Sequence, residues 1–300
     1  MTDNETLGFV GLGVMGGPMC RNVATKHAGR VLMLDRDPAA MAALADTKAE
    51  AASSLDALAA TAGVVFLSLP GGPQVEAVCA EIRRSARPGS IVVDLSTTPV
   101  SLARDVGARL KSVGLEFADA PVARTREAAQ RGELSIMVGA DPALFDRVRP
   151  LLGYMGTDVT HCGGVGCGQA VKLINNALVF ENTLALAEMM IVGERAGVDP
   201  GTLLSAVSKG SGDSFVLRNH GVKAMLPRKF PEKAFPPEYV LKDLDYLLQL
   251  ASDVDVHAGV ARLARRYYDA ARRQGLSGRY FPGVIEFVER GGAVDGPAET

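Results

Sequence analysis

A chain of 300 residues, 47 % hydrophobic and 22 % charged, carries enough apolar material for two cores and is neither disordered nor fibrous in composition. Its formal net charge of −2, with no basic block and no aromatic RNA-binding signature, speaks against nucleic acid or an anionic membrane as partner. Four scattered cysteines (Cys20, Cys79, Cys162, Cys167) are too few for a disulfide framework and lack zinc-ligand spacing, so reduced thiols in a cytoplasmic protein are expected.

The polar start, MTDNET, lacks signal-peptide character and runs directly into a strand pattern. Six β-rich apolar runs follow: 7–11, 30–35, 63–70, 90–96, 115–121 and 134–140. Stretches of helical period at 16–28, 38–46, 73–86 and 99–113 separate the earlier ones, and Pro38, Pro73 and Pro99 fall near helix starts, where a missing N–H does no harm. Such alternation predicts a parallel sheet built from βαβ units. Beyond Gly166 strand signal nearly vanishes. One helical pattern runs to about Ala196 and ends at Gly197, followed by helices near 200–209, 214–225, 238–253, 257–274 and 282–290. The longest apolar stretch, 171–192, is interrupted by Asn175, Asn176, Glu181, Asn182 and Glu188, which describes a buried helix better than a membrane span. The predicted fold class is therefore α/β: an N-terminal Rossmann domain (1–164) and an all-α C-terminal domain (165–300), joined by a long interdomain helix with the boundary in the glycine cluster Gly163–Gly168.

The first strand leads into Gly11-Leu12-Gly13-Val14-Met15-Gly16, then a helix, and the second strand ends in Asp35. A lone G-x-G-x-x-G is a weak signal, but in a strand–turn–helix context with a following acidic residue it predicts a dinucleotide site. Gly11 permits the tight turn, Gly13 the approach of pyrophosphate, and Gly16 close helix packing, while the helix N-terminus offers free N–H groups to phosphate. Asp35 suits the two adenosine ribose hydroxyls and would repel a 2′-phosphate. NAD is favoured, with NADP possible because Arg36 stands beside it.

Lys172 and Asn176 are four apart on the long helix and share one face. A lysine on a mostly apolar helix is costly to bury without work or a partner. As an ammonium it can donate a proton to an alkoxide, and in the reverse direction its neutral form can accept one; Asn176 could orient lysine and substrate. Ser96 and Thr97 follow a strand at its carboxyl end, where doubly wound sheets bind ligands.

Four segments, GFVGLGVMGGPM, DLSTTP (94–99), DAPV…GELSIMVGA (119–140) and GGVGCGQAVKLINN (163–176), with the weaker pair Lys242-Asp243, resemble the β-hydroxyacid dehydrogenase family, which contains 3-hydroxyisobutyrate dehydrogenase. The resemblance covers nearly the whole chain. It implies a Rossmann domain, a helical C-terminal domain, an active site between them and a homodimer or homotetramer assembled through the helical half. It places the catalytic lysine at Lys172, sets Ser96 and Thr97 at the nicotinamide ribose, and sets Leu69 and Pro70 along the cofactor edge. Lys242 either closes over the cofactor, holds substrate or is an exposed helix lysine. Ser211, Ser214 and Phe235 align roughly with substrate-contacting or cleft-closing positions.

After DAPV the family commonly carries Ser-Gly-Gly; here Ala123-Arg124-Thr125 stand instead, followed by Arg126. The guanidinium of Arg124 suits a distal carboxylate, sulfonate or phosphate, with Thr125 assisting; the Arg-Thr pair resembles that of sulfolactaldehyde reductases. The expected activity is metal-free, NAD-dependent interconversion of a short anionic semialdehyde and its hydroxy acid. Candidates are sulfolactaldehyde, tartronate, methylmalonate and succinate semialdehydes. Two rival readings are an imine reductase, whose proton donor is usually Asp or Tyr, and a non-catalytic NAD(P)-binding protein, whose relatives have lost the lysine. The four histidines (His27, His161, His220, His257) read as structural or surface residues.

Overall fold

The computed structural model describes residues 4–232 and 234–294 and divides into two compact units after Lys172. That division falls within the long helix, a little beyond the 164/165 boundary read from the sequence. Among the described residues no helix is long and apolar enough to cross a membrane.

The first unit is built on a nine-stranded sheet. Strands β1 (Leu7–Val10), β2 (Val31–Leu34), β3 (Ala49–Ala51), β4 (Val64–Leu67), β5 (Ile91–Asp94) and β6 (Glu116–Asp119) run parallel in the order β3-β2-β1-β4-β5-β6. The sheet continues with β8 (Leu134–Gly139), to which β7 (Val122–Ala123) pairs antiparallel and β9 (Gly156–Gly163) parallel. The middle strands are buried at every position and are dominated by Val, Ile, Leu and Phe, because helices cover both faces. Helices α1 (Gly16–Lys26), α2 (Pro38–Ala42), α3 (Leu55–Thr61), α4 (Gly72–Ser85), α5 (Val100–Lys111), α6 (Arg126–Arg131) and α7 (Pro142–Leu152) make the crossovers.

The sequence reading captures the central parallel strands and misses the periphery. Strands β3, β7 and β9 and helices α3, α6 and α7 lay outside its elements. β9 is largely exposed and polar, so it lacks the apolar run by which a buried strand is recognised. β7 is two residues long, and α7 carries Pro150 inside it, a residue that breaks the helical pattern. The start signals of α3 and α6 were present, since Ser54 accepts from Ala57 N and Thr125 from Ala128 N as N-caps.

Helix α8 (Cys167–Arg195) carries the chain into the second unit, which contains α9 (Pro200–Val207), a π-helical segment (Leu217–Met225), α10 (Pro237–Asp253), α11 (Gly259–Ala271) and α12 (Val284–Glu289). The α8 residues Ala177, Phe180, Leu184, Ala187 and Ile191 recur every three or four positions and enter a core with Leu204, Leu217, Val240, Leu244 and Tyr268. Tyr268 is fully buried and donates its hydroxyl to Phe180 O at 3.2 Å, which satisfies a polar atom inside the core. The segment expected as an ordinary helix at 214–225 is π-helical over Leu217–Met225, and α11 gives way to a second π-helical stretch at Arg272–Leu276.

Candidate active site

Sheet register gathers the predicted cofactor residues. Leu34, Val10, Leu67, Asp94 and Asp119 lie in one row across neighbouring strands, so the loops leaving β2, β1, β4, β5 and β6 emerge along one carboxyl edge. Those loops carry Asp35 and Arg36, the Gly11–Gly16 turn, Leu69 and Pro70, Ser96 and Thr97, and then Ala123–Thr125.

At the first turn, Gly11 has φ +92°, and a Cβ added there would lie 2.2 Å from Ser68 O. A Cβ on Gly16 would lie 2.0 Å from Gly11 O, whereas one on Gly13 would meet nothing within 4 Å. Two of the three glycines are thus required by the turn itself, and the third leaves open space next to exposed backbone, as a docking pyrophosphate needs. Leu12 is buried, Met15 is half-buried and Val14 is exposed. Asp35 accepts from Leu12 N at 2.5 Å and from Asp37 N at 2.8 Å, one bond to each oxygen. The carboxylate is held rigid at the end of β2 and keeps lone pairs for two ribose hydroxyls, while Arg36 is exposed. These features fit an adenine dinucleotide.

Further along the edge, Ser96 Oγ accepts from Leu69 N at 2.9 Å, locking two of the cofactor loops together. Leu69 is half-buried and Pro70 exposed. Gln169, at the start of α8, donates Nε2 to Ser96 O at 2.8 Å and accepts from Thr98 N at 3.0 Å. Asp119 is fully buried and accepts from Gly166 N (2.6 Å) and Gln169 N (2.8 Å), capping the same helix. Burial is the largest influence on Asp119 and raises it, the two N–H groups draw it down and Asp94 raises it, for a net position of about 6. Sequence reasoning missed Gln169 and Asp119, although both stand inside quoted motifs. Only the fold reveals that Gln169 ties the root of α8 to the Ser96–Thr98 loop and that Asp119 ties it to the end of β6.

Lys172 and Asn176 stand one turn apart on α8, Lys172 half-buried and Asn176 buried. Asn176 Nδ2 donates to Asp243 Oδ2 at 2.7 Å, and Asn175 Nδ2 donates to Asn176 Oδ1 at 3.1 Å. Lys242 on α10 places Nζ 3.1 Å from Asp243 Oδ1, with the Tyr239 and Tyr246 rings 5.9 and 5.3 Å away. Lys242 is thus no exposed helix lysine.

The Arg124 guanidinium, expected from the sequence to suit a ligand anion, donates to Glu133 O (2.6 Å), Thr157 Oγ1 (3.2 Å) and Asp158 Oδ2 (2.5 Å), while its backbone adopts φ +88°. The backbone conformation typical of glycine is kept here by a residue that the loop anchors through its side chain. Thr125 caps α6, and Ala123 pairs with Ser135 in the sheet. Ser214 Oγ accepts from Leu217 N at the start of the π-helical segment, and Phe235 packs against Phe180 and Phe281. No group of three or more His, Cys, Asp or Glu among the described residues is placed to hold a metal ion.

Residues 6–164 match the family model described as the NAD binding domain of 6-phosphogluconate dehydrogenase. Residues 166–288 match that described as NAD-binding of NADP-dependent 3-hydroxyisobutyrate dehydrogenase. The chain is 31 % identical over 293 residues to 2-(hydroxymethyl)glutarate dehydrogenase of Eubacterium barkeri, covering 97 % of each chain. It is 33 % identical over 286 residues to 2-hydroxy-3-oxopropionate reductase of Escherichia coli K12, covering 94 % of this chain and 97 % of that one. A solved structure of Mycobacterium tuberculosis 3-hydroxyisobutyrate dehydrogenase with L-serine superposes with a TM-score of 0.88 at 27 % identity, over 95 % of this chain and 99 % of the other. The chain therefore belongs to the β-hydroxyacid dehydrogenase family, as an NAD(P)-dependent oxidoreductase acting on CH–OH groups.

Proposed function

We propose that the chain interconverts a short anionic semialdehyde and its hydroxy acid, with NAD favoured over NADP because the rigidly held Asp35 carboxylate would meet a 2′-phosphate with like charge. The nicotinamide supplies or accepts the hydride. In the reducing direction the Lys172 ammonium gives its proton to the oxygen that gains charge as the carbonyl is reduced; in the oxidising direction its neutral form takes the hydroxyl proton. Asn176 holds that oxygen. Ser96, Thr97, Leu69 and Pro70 border the nicotinamide half of the cofactor, and Lys242 on α10 offsets the charge of Asp243, the partner of Asn176. The observation that carries this reading is Lys172 one helical turn from an Asn176 whose amide a buried carboxylate immobilises.

The loop Ala123–Thr125 receives the anionic end of the substrate. Because the Arg124 side chain is engaged by Asp158, Thr157 and Glu133, we assign it the shaping of this loop, not the direct clamping of the anion. NADH oxidation with tartronate, methylmalonate and succinate semialdehydes and sulfolactaldehyde, repeated with NADPH, tests the function. Arg124→Gly keeps φ +88° accessible but removes the three side-chain anchors, so it is expected to lower stability while leaving KM within about threefold. A KM rise of about 10- to 100-fold, the effect of losing a charged hydrogen bond, would restore the direct clamp. Rates with sulfolactaldehyde far above the carboxylates would point to a sulfonate substrate. Tight NADH binding with no turnover across the panel would favour a non-catalytic role.

We also propose a homodimer or homotetramer. Helix α8 exposes Ile174, Leu178, Met189 and Val192 by 50, 53, 55 and 58 %, with Ala185 between them, as a largely apolar row interrupted by the half-buried Glu181. A symmetric contact lays the same row of a second copy against it. Light scattering on the purified protein is expected to give a multiple of the 31.5 kDa chain mass, reduced by Leu178→Glu; a monomer at micromolar concentration refutes the assignment.

A further inference from the structure

Asn176 and Asp243 lie inside the helical unit, 8 % and 3 % exposed. A carboxylate accepts hydrogen bonds but has none to give, whereas a primary amide donates at one end and accepts at the other. The 2.7 Å bond from Asn176 Nδ2 to Asp243 Oδ2 therefore requires the amide's nitrogen to face α10. Turning the amide over would bring its carbonyl oxygen against the carboxylate. Two buried acceptors would then face each other without a proton between them, at a cost of at least ~1–3 kcal/mol. Asn175 reinforces the same orientation by donating to Asn176 Oδ1. Asp243 Oδ1 makes no directed hydrogen bond among the described residues, and its contact with Lys242 Nζ at 3.1 Å is one of charge with charge. One Nδ2 hydrogen of Asn176 is engaged by Asp243, and the other has no hydrogen-bond acceptor among the described residues. The acceptor end already has its donor.

We propose that Asp243 is a positioning residue which sets the polarity of Asn176, so that Asn176 meets the substrate's reacting oxygen as a hydrogen-bond donor. This rests on the reading above that Asn176 belongs to the active site. A fixed donor strengthens as negative charge grows on that oxygen during hydride addition, and an acceptor in its place would oppose the same charge. Lys242 then serves the site through Asp243, by offsetting a buried negative charge that would otherwise be costly.

The test is a set of variants assayed with NADH and whichever panel semialdehyde is turned over fastest. Asp243→Asn is expected to lower kcat about 10- to 100-fold, as the loss of an orienting partner does, with NADH affinity within twofold of the parent. In an Asn176→Ala background, Asp243→Asn is expected to have no further effect, since its action passes through the missing amide. The exchange Asn176→Asp with Asp243→Asn keeps volume, total charge and the buried hydrogen bond but reverses its direction. It is expected to fold and to bind NADH normally while kcat stays at least 10-fold down, and it carries the test if Asp243→Asn alone does not fold. A further kcat loss from Asp243→Asn in the Asn176→Ala background, or recovery of kcat to within threefold in the exchange, overturns the proposal. An Asn176→Ala variant with undiminished kcat overturns the active-site reading beneath it, and so separates the two failures.

Discussion

Lys172→Met is expected to lower kcat about 10³-fold, within the 10²–10⁴ range for removing a general acid–base, while NADH binds as before. Methionine keeps the length and apolar stem of the side chain on a half-buried helical position, so the fold should survive. The informative companion is Lys172→Arg. Arginine retains the positive charge but does not release its proton at any working pH, so it too should be at least about 100-fold slow if Lys172 transfers a proton. Steady-state rates in both directions, with NADH binding followed by fluorescence, make the check. An arginine variant with more than half of the parent activity would reduce Lys172 to an electrostatic anchor.

The second large effect separates two glycines of one motif. Gly16→Ala forces a Cβ to within 2.0 Å of Gly11 O, a backbone atom that cannot step aside. The turn must open, at a cost of about 1–3 kcal/mol as for overpacked sites, and the apparent melting temperature should fall by about 2–12 °C. Gly13→Ala meets nothing within 4 Å and should melt with the parent, yet weaken NADH binding at least about 10-fold by blocking the pyrophosphate. Calorimetry and a binding titration on both variants decide the matter. If Gly13→Ala binds NADH as tightly as the parent, the pyrophosphate does not rest on that backbone.

Some elements were legible because local chemistry and tertiary context agree. The central strands are runs of Val, Ile, Leu and Phe buried on both faces, and their loops carry Gly11, Gly13, Gly16 and Asp35 at spacings set by strand and turn geometry. Peripheral elements were not legible for the opposite reason. Strand β9 is largely solvated and reads as loop, and β7 exists only because β8 is there to pair with it.

Within the site, spacing alone sets Lys172 and Asn176 on one helical face and a glycine turn ahead of Asp35, and the family resemblance proposes the catalytic role of Lys172. Which partners those side chains keep does not. Arg124 has the same guanidinium wherever it sits, and only the fold brings Asp158 and Thr157, more than thirty residues away, to hold it. Likewise Asp243, 67 residues beyond Asn176, becomes its partner only when α8 and α10 pack in the same unit. Spacing along the chain determines what lies on one strand or one helix face. Hydrogen-bond partners, burial and the direction of an amide are properties of surfaces brought together from distant segments, so the tertiary structure alone decided them.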